Sequence, residues 1–284
     1  MMEKEARRHS PLAMDAATFR ALGHRLVDQV AARLELIPDG PVTRDESPSA
    51  VREALDLAGP LPEDGMDPAV LLEQTTEQLF NHSLFNGHPR FFGYITASPA
   101  PIGMLGDLLA SAVNPNVGGW LLSPAATEIE SQTVRWIAEF IGYPAECGGL
   151  LVSGGNMANL VCFFSARAAG AAKAGWDVRA LGMTGNGGKP LRVYGSAEMH
   201  TWIQKAADLS GMGTDSIRWI PTDSELRMDV PALRRRLDLD LAAGDVPCMV
   251  VGTAGSVSTA AVCSAHGPFK AWGSPLRPSG SRSS

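Results

Sequence analysis

Three features of the sequence predict an α/β fold with a mainly parallel sheet, helices on both of its faces and a helical arm ahead of it. Beyond residue 150, short apolar runs of strand length alternate with longer helical stretches. The runs are mainly apolar, as strands covered on both faces tend to be. Residues 1–85, in contrast, hold helical stretches and prolines with little core of their own. The predicted organisation is therefore a helical arm over 1–85, an α/β domain over 86–262 and an aberrant tail over 263–284.

The arm opens with Asp15, a helix cap, followed by Phe19, Leu22, Leu26, Val30 and Leu34 at helical spacing. Pro38-Asp39-Gly40-Pro41 ends that helix in a turn, and a second helix is predicted over Pro68–Phe85. Such an arm has more to pack on in another subunit than in itself. Asn86–Ala100, NGHPRFFGYITASPA, follows neither the helical nor the strand period and reads as a loop with a function. Ile102–Val113 is an apolar helix. Ser123-Pro124 then announces a further helix, with serine as cap, proline at the first helical position and Ile129, Thr133, Ile137, Phe140 and Ile141 as its buried stripe.

In the α/β part, Leu150–Val152, Leu191–Tyr194, Ser216–Ile220 and Cys248–Gly252 are the strand candidates. Helices are expected over 157–172, 201–210 and 230–242, the last opened by Asp229. Ligands of open parallel sheets bind beyond the carboxyl ends of the strands, where Ser153–Asn156, Glu198–His200 and Thr253–Ser256 would all fall. LLVSGGNMANL at Leu150–Leu160 joins a strand, a glycine turn and a helix start, so that free backbone N–H groups and the helix dipole face the turn. An anion suits that place. The spacing lacks the G-x-G-x-x-G of dinucleotide-binding enzymes.

Composition narrows the class. The 284 residues carry a net charge of −6 and are 45% hydrophobic and 19% charged, the balance of a soluble globular protein with no nucleic-acid surface. Cys147, Cys162, Cys248 and Cys263 form no C-x-x-C pair, and MMEKEARRH has no apolar signal region, which points to the cytoplasm. No apolar run reaches membrane-spanning length. After Val262 the composition changes: six Ser, three Pro and three Gly make up 12 of the last 22 residues, and all 30 acidic residues precede them. A natural tail or a shift of reading frame near Val262 would each produce this.

HPRFFGYITAS at His88–Ser98, SPAATEIE at Ser123–Glu130, GGLLVSGGNMANL at Gly148–Leu160, EMH at Glu198–His200 and GTAGSVSTAAV at Gly252–Val262 follow one another in order. Together they resemble the pyridoxal-phosphate-dependent group II amino-acid decarboxylases, the aromatic-L-amino-acid and glutamate decarboxylases. The resemblance runs from about Asp15 to Val262. It implies the fold type I architecture of PLP-dependent transferases, a homodimer whose N-terminal segments wrap the partner, pyridoxal 5'-phosphate as cofactor and an amino acid as small-molecule substrate. By this resemblance Gly155 and Asn156 hold the phosphate, His200 stacks on the pyridine ring and Thr253 lines the polar edge of the cofactor. Tyr94 and Thr96 match positions that contact substrate, and Phe92 shapes the side-chain pocket, which favours an aromatic amino acid.

The sequence also departs from that pattern. The family's Schiff-base lysine follows a histidine, yet Lys4, Lys173, Lys189, Lys205 and Lys270 do not, and the aspartate that pairs with the ring nitrogen never arrives. No catalytic residue is therefore assigned. The expectation is a decarboxylase represented by a truncated or frame-shifted, inactive chain. A non-catalytic binding or dimerisation protein and a fold type I aminotransferase are the alternatives.

Overall fold

The computed structural model describes residues 12–262, with Leu57, Ile95 and Gly188 excepted. The predicted tail, with Cys263 and Lys270, lies outside the described residues. The chain divides into two compact units between Asn114 and Pro115, so Asn86–Ala100 belongs with the helical arm.

The first unit is built from four helices among the described residues. Helix α1 spans Ala16–Leu36 and starts where Asp15 accepts the Thr18 N–H at 2.7 Å. Helices α2 (Pro48–Ala54), α3 (Pro68–Asn81) and α4 (Pro101–Val113) each place proline at the first position, where a helix needs no N–H. Ser47 and Asp67 cap α2 and α3, and Asn114 closes α4 in the left-handed region. Helix α3 stops short of the predicted Phe85. His82 leaves the helical conformation and its ring meets Glu46 at 2.9 Å, so a tertiary contact ends the helix. Helix α1 packs on α3, with Leu22, Leu26, Val30 and Leu34 half-buried and Phe19 exposed; none of its residues is fully buried.

The second unit carries the sheet. Strands β1 (Leu191–Ser196), β2 (Ile217–Ile220) and β3 (Val246–Val251) run parallel in the order β2-β1-β3. Helices α5 (Pro124–Phe140), α6 (Gly155–Lys173), α7 (Val178–Leu181), α8 (Trp202–Leu209) and α9 (Val230–Ala242) accompany it. Successive residues of β1 face opposite layers, as the pleat dictates. Val193 packs with Phe163 of α6 and with Trp202, Ile203, Ala206 and Ala207 of α8. Tyr194 turns the other way, to Ile220 of β2, to Met228 and to Leu233 of α9. Both faces of the sheet are thus covered, which explains why the strands are mainly apolar; Arg192 and Arg218, the charged residues within them, are paired with Asp245 and Asp240.

Three expectations fail here. Leu150–Val152 is not a strand: no strand lies beside it among the described residues, and the Leu151 N–H goes to the Glu130 carboxylate at 2.7 Å. Without a neighbouring strand, the ladder has no second rail. The stripe of α5 is not buried either. Ile129 is 67% and Phe140 91% exposed, Ile137 and Ile141 are exposed and Thr133 half-buried; the buried residue of α5 is Ala138. The apolar face exists, but nothing in its unit covers it. Ser123 makes no side-chain cap to α5, its carbonyl instead accepting the Thr127 N–H at 3.1 Å and hydroxyl at 2.8 Å.

Candidate functional site

Helix α6 runs antiparallel to the sheet, and this fixes the site. Near its start, Leu160 and Phe163 pack with Met199 and Val251, which follow or close the carboxyl ends of β1 and β3. Near its end, Ala171 packs with Leu191 and Val246, the first residues of the same strands. The backbone of Gly170 lies so close to Cys248 that an added Cβ would meet its Cβ at 2.5 Å. The start of α6 therefore lies at the carboxyl edge of the sheet.

At that edge the chain turns sharply. Gly154 adopts φ +93°, a conformation open to glycine, and α6 begins at the next residue. The first bond into the helix runs from the Ala158 N–H to the Gly154 carbonyl at 3.1 Å, which leaves Gly155, Asn156 and Met157 to present their N–H groups outward. Among the described residues no side chain caps this end, and no acid stands in the first turn. A Cβ on Gly155 would meet nothing within 4 Å. Uncapped donors, the positive end of the helix dipole and open space together suit an anion.

Two more segments reach the same edge. After β1 the chain folds back over its own strand so closely that a Cβ on Gly195 would lie 2.3 Å from the Met199 Cε. Buried Ser196 holds this turn by accepting the Glu198 N–H at 3.1 Å on its hydroxyl and the Met199 N–H at 2.9 Å on its carbonyl. His200 emerges exposed at its end, with Nδ1 accepting the Trp202 N–H at 3.1 Å. That bond caps the start of α8, leaves the proton on Nε2 and fixes the ring, so the histidine is both a cap and an available aromatic face. After β3, half-buried Thr253 leads into a turn closed by the Ala254–Val262 bridge. Inside it, buried Ser256 donates its N–H to the Ala261 carbonyl at 3.0 Å and pairs its hydroxyl with that of Thr259.

Gly155, Asn156, His200 and Thr253 thus share the carboxyl edge of the sheet. Phe92, Tyr94 and Thr96 lie in the first unit. Phe92 is 91% and Tyr94 80% exposed, and Tyr94 holds φ +59°, where a bulky side chain is strained. Sequence reasoning missed Ser196 and Glu130. A serine ending a strand gives no signal of its own, and Glu130 reads as an ordinary helix charge until its carboxylate is seen on the Leu151 N–H. The lysines among the described residues lie elsewhere. Lys173 ends α6 and Lys189 precedes β1, both at the amino edge, and Lys205 is exposed on α8.

The model of the pyridoxal-dependent decarboxylase conserved domain matches residues 48–264. The chain belongs to this decarboxylase family. It is similar to the aromatic-L-amino-acid decarboxylase of Bacillus atrophaeus, with 30% identity over 251 residues, 88% of this chain and 49% of that protein. The L-2,4-diaminobutyrate decarboxylase of Rhizobium meliloti is 30% identical over 237 residues, 84% of this chain and 44% of that protein. A crystal structure of Oryza sativa TDC with PLP and tryptamine superposes with a TM-score of 0.77 at 27% identity, over 90% of this chain and 54% of that one. The likeness shows the fold to be that of the PLP decarboxylases, fold type I, as the sequence implied. The chain spans about half the length of the curated relatives it matches.

Proposed function

We propose that the complete protein is a PLP-dependent decarboxylase of an L-amino acid with an aromatic side chain, acting as a cytoplasmic homodimer. The observation that carries this reading is the meeting of the α6 start, His200 and Thr253 at one edge of the sheet, in a chain of the pyridoxal-dependent decarboxylase family. The N–H groups of Gly155 and Asn156 would hold the phosphate, the His200 ring would stack on the pyridine, and the Thr253 hydroxyl would meet its polar edge. Bound there, the cofactor supplies the sink for the electron pair left when carbon dioxide departs. Phe92 and Tyr94 would enclose the substrate side chain and Thr96 its carboxylate.

The aromatic assignment draws on Phe92 and Tyr94 and on the Bacillus relative. The Rhizobium relative is named for diaminobutyrate, so family membership by itself leaves the side chain open. The uncovered apolar faces of α4 and α5 support an assembly: Ile102, Leu105, Leu108 and Leu109 on the first and Ile129, Ile137 and Phe140 on the second are all exposed. The free thiols of Cys147, Cys162 and Cys248 support a reducing compartment. No helix among the described residues is long and apolar enough to cross a membrane.

No lysine follows a histidine in the 284 residues. We infer from this that the chain takes up the cofactor without a covalent tether and does not decarboxylate by itself, which also favours a non-catalytic binding protein as the second reading. Titration with pyridoxal 5'-phosphate is expected to show reversible binding, lost on dialysis and weakened in Asn156→Ala and His200→Ala, with no carbon dioxide released from L-tyrosine or L-tryptophan. Binding indifferent to both substitutions would sink the site; carbon dioxide release by the purified chain would sink the inactivity.

A further inference from the structure

We propose that His88 and Arg90 are positioning residues, which strap the segment carrying Phe92, Tyr94 and Thr96 to the turn after α1. This assignment gives the exposed aromatics a fixed origin; its consequence for substrate rests on the reading of that segment given above.

The geometry is a zipper between two stretches about forty residues apart. His82 meets Glu46 at 2.9 Å and the Arg44 guanidinium donates to the Asn81 side chain at 3.3 Å. The Phe85 N–H donates to the Val42 carbonyl at 3.1 Å. At its end, the Gly40 carbonyl accepts twice, from His88 Nε2 at 3.0 Å and from Arg90 Nη2 at 2.9 Å, using both of its lone pairs. Residues 40–46 and 81–90 thus run past each other in opposite directions, joined at every second residue or so.

His88 is the centre of this strap. It is 2% exposed, and both ring nitrogens are engaged: Nδ1 accepts the Arg90 N–H at 3.0 Å, which places the proton on Nε2 for Gly40. Its carbonyl accepts the Phe91 N–H at 2.9 Å, so the chain leaves the strap in a set direction. The far end of the segment returns to the same place. A Cβ on Gly87 would lie 3.2 Å from the Ser98 Cβ and 3.4 Å from the Pro99 Cδ, so the loop from His88 to Ser98 is closed at its base. Between these ends Tyr94 keeps its positive φ while 80% exposed, and its ring has Phe91 as a neighbour at 6.4 Å. A strained residue with so little packing of its own persists only where both ends of its segment are held.

Amide hydrogen exchange of the 284-residue chain, without cofactor or substrate, reads the strap directly. In His88→Asn the shorter side chain can still accept the Arg90 N–H but no longer reaches Gly40. Exchange at Phe85 and Phe91 is expected to rise roughly tenfold, with the amides of α6 and β1–β3 unchanged. His88→Gln, whose amide nitrogen extends to the place of Nε2, is expected to return exchange to within roughly threefold of the parent, and Arg90→Ala to give a rise of roughly threefold. Should His88→Asn unfold the first unit, Arg90→Ala decides. Unchanged exchange at Phe85 and Phe91 in the folded variants, or a rise spread evenly over α1 and α3, would overturn the proposal. Because no cofactor enters the measurement, its failure is distinct from failure of the decarboxylase reading.

Discussion

Helices α5 and α8 have the same kind of sequence and opposite fates. Both carry an apolar stripe at helical spacing. On α8 that stripe is Trp202, Ile203, Ala206 and Ala207, all buried against β1, β2 and α6. On α5 it is Ile129, Ile137 and Phe140, all exposed, with Ala138 the buried residue. The spacing of apolar residues shows that a helix has a face to cover; it does not show what covers it. Beside the sheet the cover comes from the same unit. On α5 it must come from elsewhere, and the same holds for α4.

The sheet side is also held from its opposite layer by charge, and there the comparison predicts its largest effect. Buried Asp240 of α9 accepts from the Tyr194 hydroxyl at 2.9 Å, from Arg218 at 3.0 Å and from Arg236 at 3.0 Å, while Arg218 and Arg192 also reach Asp245. Replacing Asp240 by Ala takes the partner from a buried phenol and leaves the largely buried Arg218 guanidinium to Asp245 and the Asp215 carbonyl, and should cost about 3 kcal/mol or more. Urea unfolding measures it. A loss below about 1 kcal/mol, the level of an exposed pair such as Arg25–Glu73, would erase the distinction between the two regions.

The same cluster sets a pH dependence. Burial pushes the Asp240 carboxyl up, but hydrogen bonds from Arg218, Tyr194 and Arg236 outweigh it and hold the group below its ordinary 3.8. Its contribution is present above that value and is lost as pH falls through the lowered one. Burial, and then the Asp240 hydrogen bond, push the Tyr194 phenol well above its ordinary 10.0. That contribution is present below pH 10 and is lost above it, because the unfolded chain releases a proton the folded one keeps. Urea midpoints between pH 9 and 11 should therefore fall more steeply for the parent than for Tyr194→Phe. Parallel curves would remove Tyr194 from the account.

Packing on the α6 side gives the next effects. Ile203 is fully buried, so Ile203→Ala should cost about 2 to 5 kcal/mol. Gly170→Ala forces a methyl into the Cys248 Cβ and to within 3.2 Å of its Cα; backbone yields less readily than a side-chain tip, and a loss of about 1 to 3 kcal/mol should follow. Both are read from denaturant midpoints at constant slope.

What the sequence made legible follows the same division. The helix over 230–242, its Asp229 cap and the strands at 191, 216 and 248 were readable because local pattern and sheet burial agree there. The glycine turn was readable because Gly154 needs a positive φ, and the place of Asn156 and His200 beyond the carboxyl ends of the strands was readable from the alternation of strands and helices. Leu150–Val152 was misread because an apolar run reports hydrophobicity, whereas a strand also needs a neighbour for its N–H groups. Ser196, Glu130 and the His88–Gly40 contact stayed hidden because each depends on a partner that only folding brings near.

The exposed side of the comparison makes the smallest stability prediction and the clearest test of what α5 is for. Phe140 is 91% exposed, so Phe140→Ser removes almost no burial within the chain and should leave the urea midpoint within about 0.5 kcal/mol of the parent. If α5 packs on a second copy, the same substitution should weaken association at the same time, read by sedimentation across a concentration series. Ile203→Ala gives the converse: lower stability, with association lost only as far as the fold is lost. A Phe140→Ser chain that loses several kcal/mol as a monomer would place α5 in the core of its own unit after all, and the contrast with α8 would fall.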